Sequence, residues 1–322
     1  MICSGSQIAK AGQRRTEAHL SGDLLTAPMG QFLRDMLRET SCFRLDGRSI
    51  PRVYSVGLRE RNNDICGGYF VRHVIGIGHS HLDCFTWAWR DFRSAFPEQD
   101  SYTPICLDQP PFRPHYTLQD ETLVPNPAWI EAMRELITKP DAVVFLCLGG
   151  SEWWHWSLTP GPNPYDFVDP LEDDGADPIG KIIPYEMFMD HARAAFSGIR
   201  RDVGHIREIA PVPLVQFAPP PPPRDLLLDV EKMINLKDWV LNYGVSPPGF
   251  RLKIWRAACR AMEEVCASVD VHFLWPSNDN LDAEGYLNVN AAQGDSFHAN
   301  DKYGLSQLQR LYARCDNQQE VS

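Results

Sequence analysis

The sequence predicts an α/β fold: a three-layer α/β/α sandwich around a mainly parallel sheet of about five strands. The first observation is a set of short, continuous apolar runs, at residues 71–77, 102–107, 141–148, 212–218 and 271–276. Continuous runs of this kind are typical of strands that are buried on both faces. The second observation is that helical patterns separate these runs, as they do in parallel sheets covered by helices. Ligands in such folds bind beyond the carboxyl ends of the strands.

Three segments have the spacing of amphipathic helices. Residues 185–209 carry one apolar stripe at three- and four-residue intervals, which is a helical pattern. Residues 250–268 show the same spacing and predict a second helix. Residues 126–139 begin with Asn126 as an N-cap and Pro127 at the first helical position, and both are typical of a helix start.

The periodic pattern begins only at residue 71. We therefore divide the chain into an N-terminal extension, residues 1–70, and one domain, residues 71–322. Within the extension, residues 28–43 fit a short amphipathic helix and residues 50–58 fit a strand.

Two segments of unusual composition interrupt the domain. The pentaproline at 219–223 follows an apolar run directly, and helical patterns continue beyond it. We therefore expect a loop inside the domain and not a stiff linker. The acidic stretch DPLEDDGADP, residues 169–178, is interpreted as a solvated insertion that could form a flap over the site.

The composition argues against several classes of partner. The net charge of the 322-residue chain is −11, whereas nucleic-acid binding needs clustered Lys and Arg. No apolar run approaches the ~20 residues of a membrane-spanning helix, and the opening stretch lacks the apolar core of a secretory signal. Nine cysteines are scattered without a C-x-x-C pair, which predicts reduced thiols and a cytoplasmic location.

The stretch RHVIGIGHSHLDCF, residues 72–85, allows two kinds of chemistry. His79, His81 and Asp83 form an H-x-H-x-D pattern similar to the zinc-binding loop of metallo-β-lactamases. That pattern continues with a histidine after the aspartate, but Cys84 stands there, and the other histidines form no second ligand cluster. Zinc-dependent hydrolysis is therefore the less favoured interpretation, and we expect neither a metal nor a cofactor.

The other interpretation is a serine nucleophile, Ser80, in a tight turn after the first apolar run. A hydroxyl is a weak nucleophile unless a base takes its proton, and a carboxylate keeps that base in the right tautomer. The stretch DSFHAN places Asp295 and His298 three residues apart, ahead of a terminal amphipathic helix. In a turn, both side chains can face Ser80.

From about residue 71 to residue 315 the chain resembles the SGNH (GDSL-like) hydrolase family, whose fold is flavodoxin-like. GHS at 78–80 matches the family's nucleophile block weakly, whereas GYLNVNAAQGDSFHANDKYG at 285–304 follows its late D-x-x-H block in residue order. LGGSEWW at 148–154 lies where the family has its G-x-N block, and FAPPPPP at 217–223 matches a proline-rich turn of many members.

The resemblance implies a role for each matched residue. Ser80 would be the nucleophile, His298 the general base and then the general acid, and Asp295 the residue that orients the imidazole. The oxyanion hole would use the backbone N–H of Ser80 together with the segment 149–151.

The chain departs from the family pattern around the oxyanion hole. No glycine occurs between Gly78 and Gly149, so the glycine donor of the family's second block is missing, and His79 replaces the aspartate before the nucleophile. In place of Gly-x-Asn-Asp, the third block reads Gly149, Gly150, Ser151 and Glu152. Because loss of one donor typically costs ~10²–10³ in kcat, we expect this oxyanion hole to stabilise the transition state less well.

Purely structural roles are open for the same residues. Ser80 could cap the helix that follows it, and Asp295 and His298 could be a hydrogen-bonded structural pair. Glu152 could pair with a nearby base or lie in solvent.

Aromatic residues follow the third apolar run, and one cysteine lies after the first run and another within the third. Trp153 and Trp154, in WWHWSL at 153–158, predict either a packed aromatic wall or a lined pocket whose rings stack on sugars. Cys84 and Cys147 are interpreted as core residues.

These features together predict an intracellular serine esterase for a short acyl ester, such as an O-acetyl group on a sugar. Its partner would be a small molecule or carbohydrate ester, with no nucleic acid and no membrane. The alternative is a non-catalytic module that keeps the fold and binds a glycan or an acylated ligand. The triad residues Ser80, Asp295 and His298 favour the esterase, and the altered hole favours the binding module.

Overall fold

The structure is a computed structural model that describes residues 71–139, 141–171, 178–226, 237–295 and 297–319. The chain divides into two units, Met1–Gly67 and Gly68–Ser322, and all of the described residues belong to the second. The helix predicted at 28–43 and the strand predicted at 50–58 lie outside them.

A five-stranded parallel sheet forms the centre of the second unit. In chain order the strands are β1 (His73–Gly78), β2 (Ser101–Cys106), β3 (Tyr116–Gln119), β4 (Thr122–Pro125), β5 (Ala142–Cys147), β6 (Tyr165–Asp166), β7 (Lys181–Ile182), β8 (Leu214–Phe217) and β9 (His272–Leu274). The central sheet has the order β2-β1-β5-β8-β9, and every neighbouring pair in it is parallel. The five predicted apolar runs correspond to these five strands. Counted along the sheet alone, the order is 2-1-3-4-5, which is that of flavodoxin-like folds.

Helices cover both faces of this sheet. In chain order they are α1 (Asp83–Asp91), α2 (Pro127–Ile137), α3 (Glu152–Ser157), α4 (Tyr185–Ala195), α5 (Ser197–Ile209), α6 (Lys237–Tyr243), α7 (Pro248–Ala267) and α8 (Asp301–Gln319). Helices α1 and α8 pack together on one face, whereas α2, α5 and α7 pack on the other. The three-layer α/β/α sandwich predicted from the sequence is therefore confirmed. No helix in the described part of the chain is long and apolar enough to cross a membrane.

The core lies between the sheet and these two helical layers. Strand residues Val74, Phe145 and Phe217 point toward α1 and α8, where they are almost completely buried. Their neighbours along the strands, such as Ile75 and Leu146, are equally buried on the opposite face. Burial on both faces explains why the strands appear in the sequence as continuous apolar runs and not as alternating ones.

The start of α2 confirms the predicted helix signal. The Oδ1 atom of Asn126 accepts a hydrogen bond of 2.9 Å from the backbone N–H of Ala128, and Pro127 occupies the first turn. The helix predicted at 250–268 is α7, which begins two residues earlier, at Pro248.

The helical pattern at 185–209 is confirmed, but it is divided between two helices. The chain forms two helices, α4 and α5, which meet at Phe196, a residue that belongs to neither. A Ser-Gly pair, Ser197 and Gly198, follows the break directly, and such pairs are common points of helix interruption. The apolar stripe continues across the break, so the spacing alone could not show it.

The pentaproline is a buried loop inside the domain, as predicted. Residues 219–223 follow β8 and are buried. Two side chains of α7 bind their carbonyl groups: Trp255 Nε1 donates to Pro219, at 3.1 Å, and Arg251 donates to Pro223, at 2.8 Å. These hydrogen bonds satisfy two of the buried backbone carbonyl groups of the loop.

The interpretation of the acidic stretch as solvated is wrong at its first residue. Asp169 is buried and forms an ion pair with Arg260 of α7. The nearby Asp166 is also buried and lies 2.6 Å from Lys253 Nζ of the same helix. Both pairs anchor this segment on α7, because a buried carboxylate needs a charged partner. Residues 172–177 lie outside the described part, so the flap stays a prediction.

Candidate functional site

The candidate site lies at the carboxyl end of β1, where the order of the strands in the sheet changes direction. Gly78, at the end of β1, is level with Cys106 of β2 on one side and with Cys147 of β5 on the other. Ser80 and Gly149 each follow two residues later, so they emerge side by side at this edge of the sheet. Parallel α/β sheets bind their ligands at such switch points.

Ser80, His298 and Asp295 form one hydrogen-bonded series. The Nε2 atom of His298 lies 3.1 Å from the Oγ atom of Ser80, and its Nδ1 atom lies 2.6 Å from an oxygen of Asp295. The series therefore has the order hydroxyl, imidazole and carboxylate that activates a serine. The structure brings together the three residues that the sequence singles out.

The loop around Asp295 fixes this carboxylate. Its Oδ1 atom accepts hydrogen bonds from the backbone N–H groups of Phe297, at 3.0 Å, and His298, at 2.7 Å. Burial by itself would raise the pKa of Asp295, but the hydrogen bonds and the charge of the His298 ring outweigh it and lower the pKa to about 2. The carboxylate is therefore ionised at neutral pH and holds the imidazole in one orientation.

Ser80 does not act as a helix cap. It begins a short 3-10 helix, Ser80–Leu82, which runs into α1, and no side chain makes a capping hydrogen bond at the start of either helix. The Ser80 hydroxyl instead faces His298. The backbone N–H of Ser80 has no partner within this helix because it is in the first turn.

The two segments that carry Ser80 and His298 are held by helices in close contact. Helix α1 follows Ser80, α8 follows His298, and Gly304 of α8 lies against the backbone of Cys84 in α1. A Cβ atom on Gly304 would lie 2.2 Å from the carbonyl oxygen of Cys84, so only glycine allows this approach. Cys84 and Cys147 are both buried in the adjacent core, as predicted.

The third block forms a tight turn in which the backbone N–H of Gly150 already has a hydrogen-bond acceptor. Gly149 and Gly150 have φ angles of 69° and 107°, which favour glycine. The backbone N–H of Gly150 donates a 2.7 Å hydrogen bond to the Oε2 atom of Glu152. Glu152 therefore neither pairs with a base nor lies free in solvent, contrary to both sequence interpretations. Ser151 is exposed, at the start of α3, and makes no capping hydrogen bond.

The second block offers few backbone donors to a substrate. After β2, the N–H of Leu107 donates to the Gly78 carbonyl at 2.7 Å, and the N–H of Gln109 donates to the Cys106 carbonyl at 3.2 Å. Both groups are therefore committed within the protein.

The predicted zinc ligands do not converge. The His79 ring contacts the His115 ring, at 5.5 Å between centroids, whereas the His81 ring lies beside that of His298, at 5.3 Å. No three His, Cys, Asp or Glu side chains among the described residues are grouped so that they could hold a metal. The contact between His79 and His115 joins residues far apart in the chain, so no sequence pattern could indicate it.

The aromatic residues of the third block form a packed wall. Trp153 and Trp154 are buried in α3, and the Trp154 ring lies 4.7 Å from the ring of Phe297. Phe297 in turn lies 3.9 Å from the ring of His298. These rings reach the site through Phe297, a residue that sequence analysis did not single out. The packed wall is thus the correct one of the two interpretations.

Comparison with known proteins finds similarity in solved structures only. No protein-family model and no curated protein matches the chain. Similar structures include a GDSL-like lipase from Bacteroides thetaiotaomicron, at 13% identity, with 77% of this chain and 88% of that one covered and a TM-score of 0.35. The periplasmic domain of a lipopolysaccharide acetyltransferase from Salmonella ser. Paratyphi A has 10% identity, coverage of 78% and 85%, and a TM-score of 0.41.

A third similar structure is a phospholipase A1 from Streptomyces albidoflavus, at 11% identity, with 76% and 99% of the two chains covered and a TM-score of 0.37. The chemistry of the present site rests on its own geometry.

Proposed function

We propose that the protein is a serine esterase in which Ser80 is the nucleophile. The observation that supports this most directly is the hydrogen-bonded series from Ser80 through His298 to Asp295. Each of the three side chains is partly accessible, with 24% of the His298 side chain and 43% of the Asp295 side chain exposed. The serine hydroxyl on the second imidazole nitrogen places a nucleophile where this base can take its proton.

The proposed reaction has two steps. His298 Nε2 takes the proton of Ser80 as the Oγ atom attacks the ester carbonyl, and the protonated imidazole then gives that proton to the leaving alcohol. In the second step His298 takes a proton from water, which attacks the acyl carbon on Ser80, and the imidazolium then returns that proton to the Ser80 Oγ atom as the acid leaves. Asp295 stays ionised and stabilises the imidazolium in both steps.

A short acyl group suits the space beside His298. The rings of Phe297 and His81 lie 3.9 Å and 5.3 Å from the His298 ring, and Trp154 packs behind Phe297. These rings place an apolar wall beside the imidazole. An O-acetyl or similarly short ester, on a small molecule or a carbohydrate and in the cytoplasm, is the substrate that we propose.

One observation favours a non-catalytic binding module instead. The Glu152 carboxylate already accepts the hydrogen bond of the Gly150 N–H, where an oxyanion hole needs donors that are free. Ser151 adds only a short hydroxyl in place of an amide. If this arrangement is permanent, the fold would bind an acylated ligand or glycan without hydrolysing it.

Labelling with a fluorophosphonate tests the esterase proposal. The reagent phosphonylates a serine only when a base activates it, so we expect one adduct per chain, mapped by mass spectrometry to Ser80. The Ser80→Ala variant should not be labelled, whereas Ser94→Ala, which removes an exposed serine outside the site, should be labelled like the wild type. An unlabelled wild-type protein that still binds a glycan or an acylated ligand would favour the binding module.

A further inference from the structure

His81 is a buried histidine with hydrogen-bonding capacity to spare. Only 7% of the residue is exposed, and neither Nδ1 nor Nε2 makes a hydrogen bond of normal geometry to the described residues. Burial, and next the neighbouring His298, lower the pKa of His81 to about 3, whereas Asp295 and an interaction with the Gly150 backbone raise it. The ring is therefore neutral at ordinary pH, with one nitrogen that donates and one that accepts.

A small cavity adjoins this ring. Its volume is about 10 Å³, and its lining includes His81, Gln216, Gly149, Ala218 and Tyr303. One water molecule needs roughly 10–15 Å³ and two to four polar partners. The cavity therefore has room for one water and little more.

The polar groups around the cavity have hydrogen-bonding capacity to spare. The Tyr303 hydroxyl, on a residue that is 1% exposed, makes only a long bond of 3.4 Å to the Ala218 carbonyl. The Gln216 amide nitrogen donates to Leu148 and Phe217, whereas its oxygen accepts a single 3.3 Å bond. A carbonyl-type oxygen can accept two hydrogen bonds, so Gln216 retains one site.

From the cavity and the spare hydrogen-bonding capacity beside it we infer a binding site for one structural water molecule, held by His81 and Tyr303 and completed by Gln216. The water accepts a hydrogen bond from one of these groups and donates to the others, which gives one of the two His81 ring nitrogens a partner and sets the tautomer. Buried polar groups are nearly always paired in native proteins, with protein groups or ordered water.

The position of this water gives it a structural role that is independent of the esterase proposal. His81 directly follows Ser80, and Tyr303 belongs to α8, which follows His298. The water would therefore join the two chain segments that meet at the site. It lies on the side of the sheet where α1 and α8 pack.

A crystal structure that shows ordered water is the direct test. We expect density for one water within hydrogen-bonding distance, ~2.7–3.2 Å, of a His81 ring nitrogen and of the Tyr303 hydroxyl. An empty cavity, or a direct hydrogen bond from His81 to a protein group, would overturn the inference.

Urea unfolding gives a second test, with a matched control. His191 also has a buried ring nitrogen without a partner, but it is not among the residues that line the cavity. Replacing such a group with an apolar one is neutral or stabilising, so His191→Leu should leave the unfolding midpoint unchanged or raise it. His81→Leu should lower it, because it removes a partner of the water. His81→Gln, which keeps a donor and an acceptor, should recover part of the loss.

The double variant distinguishes a shared water from two separate effects. Tyr303→Phe should also lower the midpoint, and His81→Leu combined with Tyr303→Phe should lower it by clearly less than the sum, because both variants remove partners of the same molecule. Additive effects, or a His81→Leu protein that is as stable as His191→Leu, would show that the cavity is dry.

Discussion

The Nε2 atom of His298 lies 3.1 Å from the Oγ atom of Ser80, although 218 residues separate them in the chain. Because proton transfer needs a heavy-atom distance of about 2.6–3.2 Å, the two groups are already within reach without substrate. Both variants Ser80→Ala and His298→Ala should therefore lower the hydrolysis of p-nitrophenyl acetate by roughly a thousandfold or more. The double variant should be barely worse, because residues that act as a unit are not additive.

The controls for this experiment lie on the surface of the same domain. Ser94→Ala and His272→Ala change an exposed serine and an exposed histidine away from the site and should keep full activity. Asp295→Asn should cost less than either catalytic variant, since Asp295 only orients and stabilises the imidazole. Full turnover in Ser80→Ala would refute the nucleophile assignment.

The low pKa of Asp295 predicts how stability depends on pH. Its pKa is about 2 in the folded protein and about 3.9 in an unfolded chain. The carboxylate therefore contributes to stability above pH ~4, and this contribution is lost as the pH falls toward 2. Asp295→Asn should flatten the dependence of the urea midpoint between pH 5 and pH 2. Parallel curves for the two proteins would show that the hydrogen bonds around Asp295 do not stabilise its ionised form.

The contact between Glu152 and Gly150 predicts the effect of removing one negative charge. In the esterase that we propose, an oxyanion would compete with the Glu152 carboxylate for the Gly150 N–H. A neutral amide is the weaker competitor, so Glu152→Gln should raise kcat several-fold with little change in KM. Steady-state kinetics on an activated ester measure this, and a lower kcat would mean that the charged carboxylate supports the turn.

The Ser151→Asn variant tests the same oxyanion hole by supplying the side-chain amide that it lacks. The serine hydroxyl is shorter than an asparagine amide and cannot reach as far toward the ~2.7–3.1 Å contact that a donor needs. We expect kcat to rise tenfold or more and KM to change little, because the contact forms mainly in the transition state. A slower enzyme would indicate that backbone groups or water already complete the hole, and that asparagine crowds it.

Gly304 should tolerate no side chain, whereas Gly204 should. A Cβ atom on Gly304 would meet the Cys84 carbonyl at 2.2 Å, while one on Gly204, in the middle of α5, would meet nothing within 4 Å. Gly304→Ala should therefore lower the unfolding free energy by about 1–3 kcal/mol and reduce kcat by moving α8. Gly204→Ala should raise the unfolding free energy by about 0.5–1 kcal/mol through helix propensity. Thermal unfolding of both variants measures these effects. Equal stabilities of the two variants would contradict the close approach of Gly304 to the Cys84 backbone.

Activity should not depend on bound zinc. If Ser80 and His298 carry the reaction, turnover should survive prolonged chelation, and elemental analysis should find far less than one zinc per chain. The positive control is a zinc hydrolase treated with the same chelator. Stoichiometric zinc that is lost together with activity would restore the interpretation of His79, His81 and Asp83 as ligands.

The fold was predictable from the sequence because burial leaves a direct pattern. The five strands of the sheet appear as five apolar runs, most clearly β1, β5 and β8, which are buried on both faces. The Asn126-Pro127 signal gives the start of α2 to the residue. The break at Phe196 was not predictable from spacing, since the apolar stripe passes through it. The Ser-Gly pair that follows was the available signal.

The site was predictable only in part. Ser80, Asp295 and His298 stand in short motifs whose order in the chain can be compared with a family. The contacts around these residues cannot be predicted in this way, because they depend on how distant segments of the chain pack together. His115 beside His79, Phe297 beside His298 and the Glu152 side chain on Gly150 are of this kind, and so is the cavity beside His81.

The long chain separation between Ser80 and His298 has a consequence for the timing of synthesis. A ribosome adds about 5–20 residues per second, so about 10–40 s pass between the appearance of the serine and that of the histidine. During that interval the nascent polypeptide contains the nucleophile but no base, and α8 has not yet reached α1. We therefore expect no ester cleavage from stalled or incomplete chains, and the onset of activity should mark the arrival of the last helix of the domain.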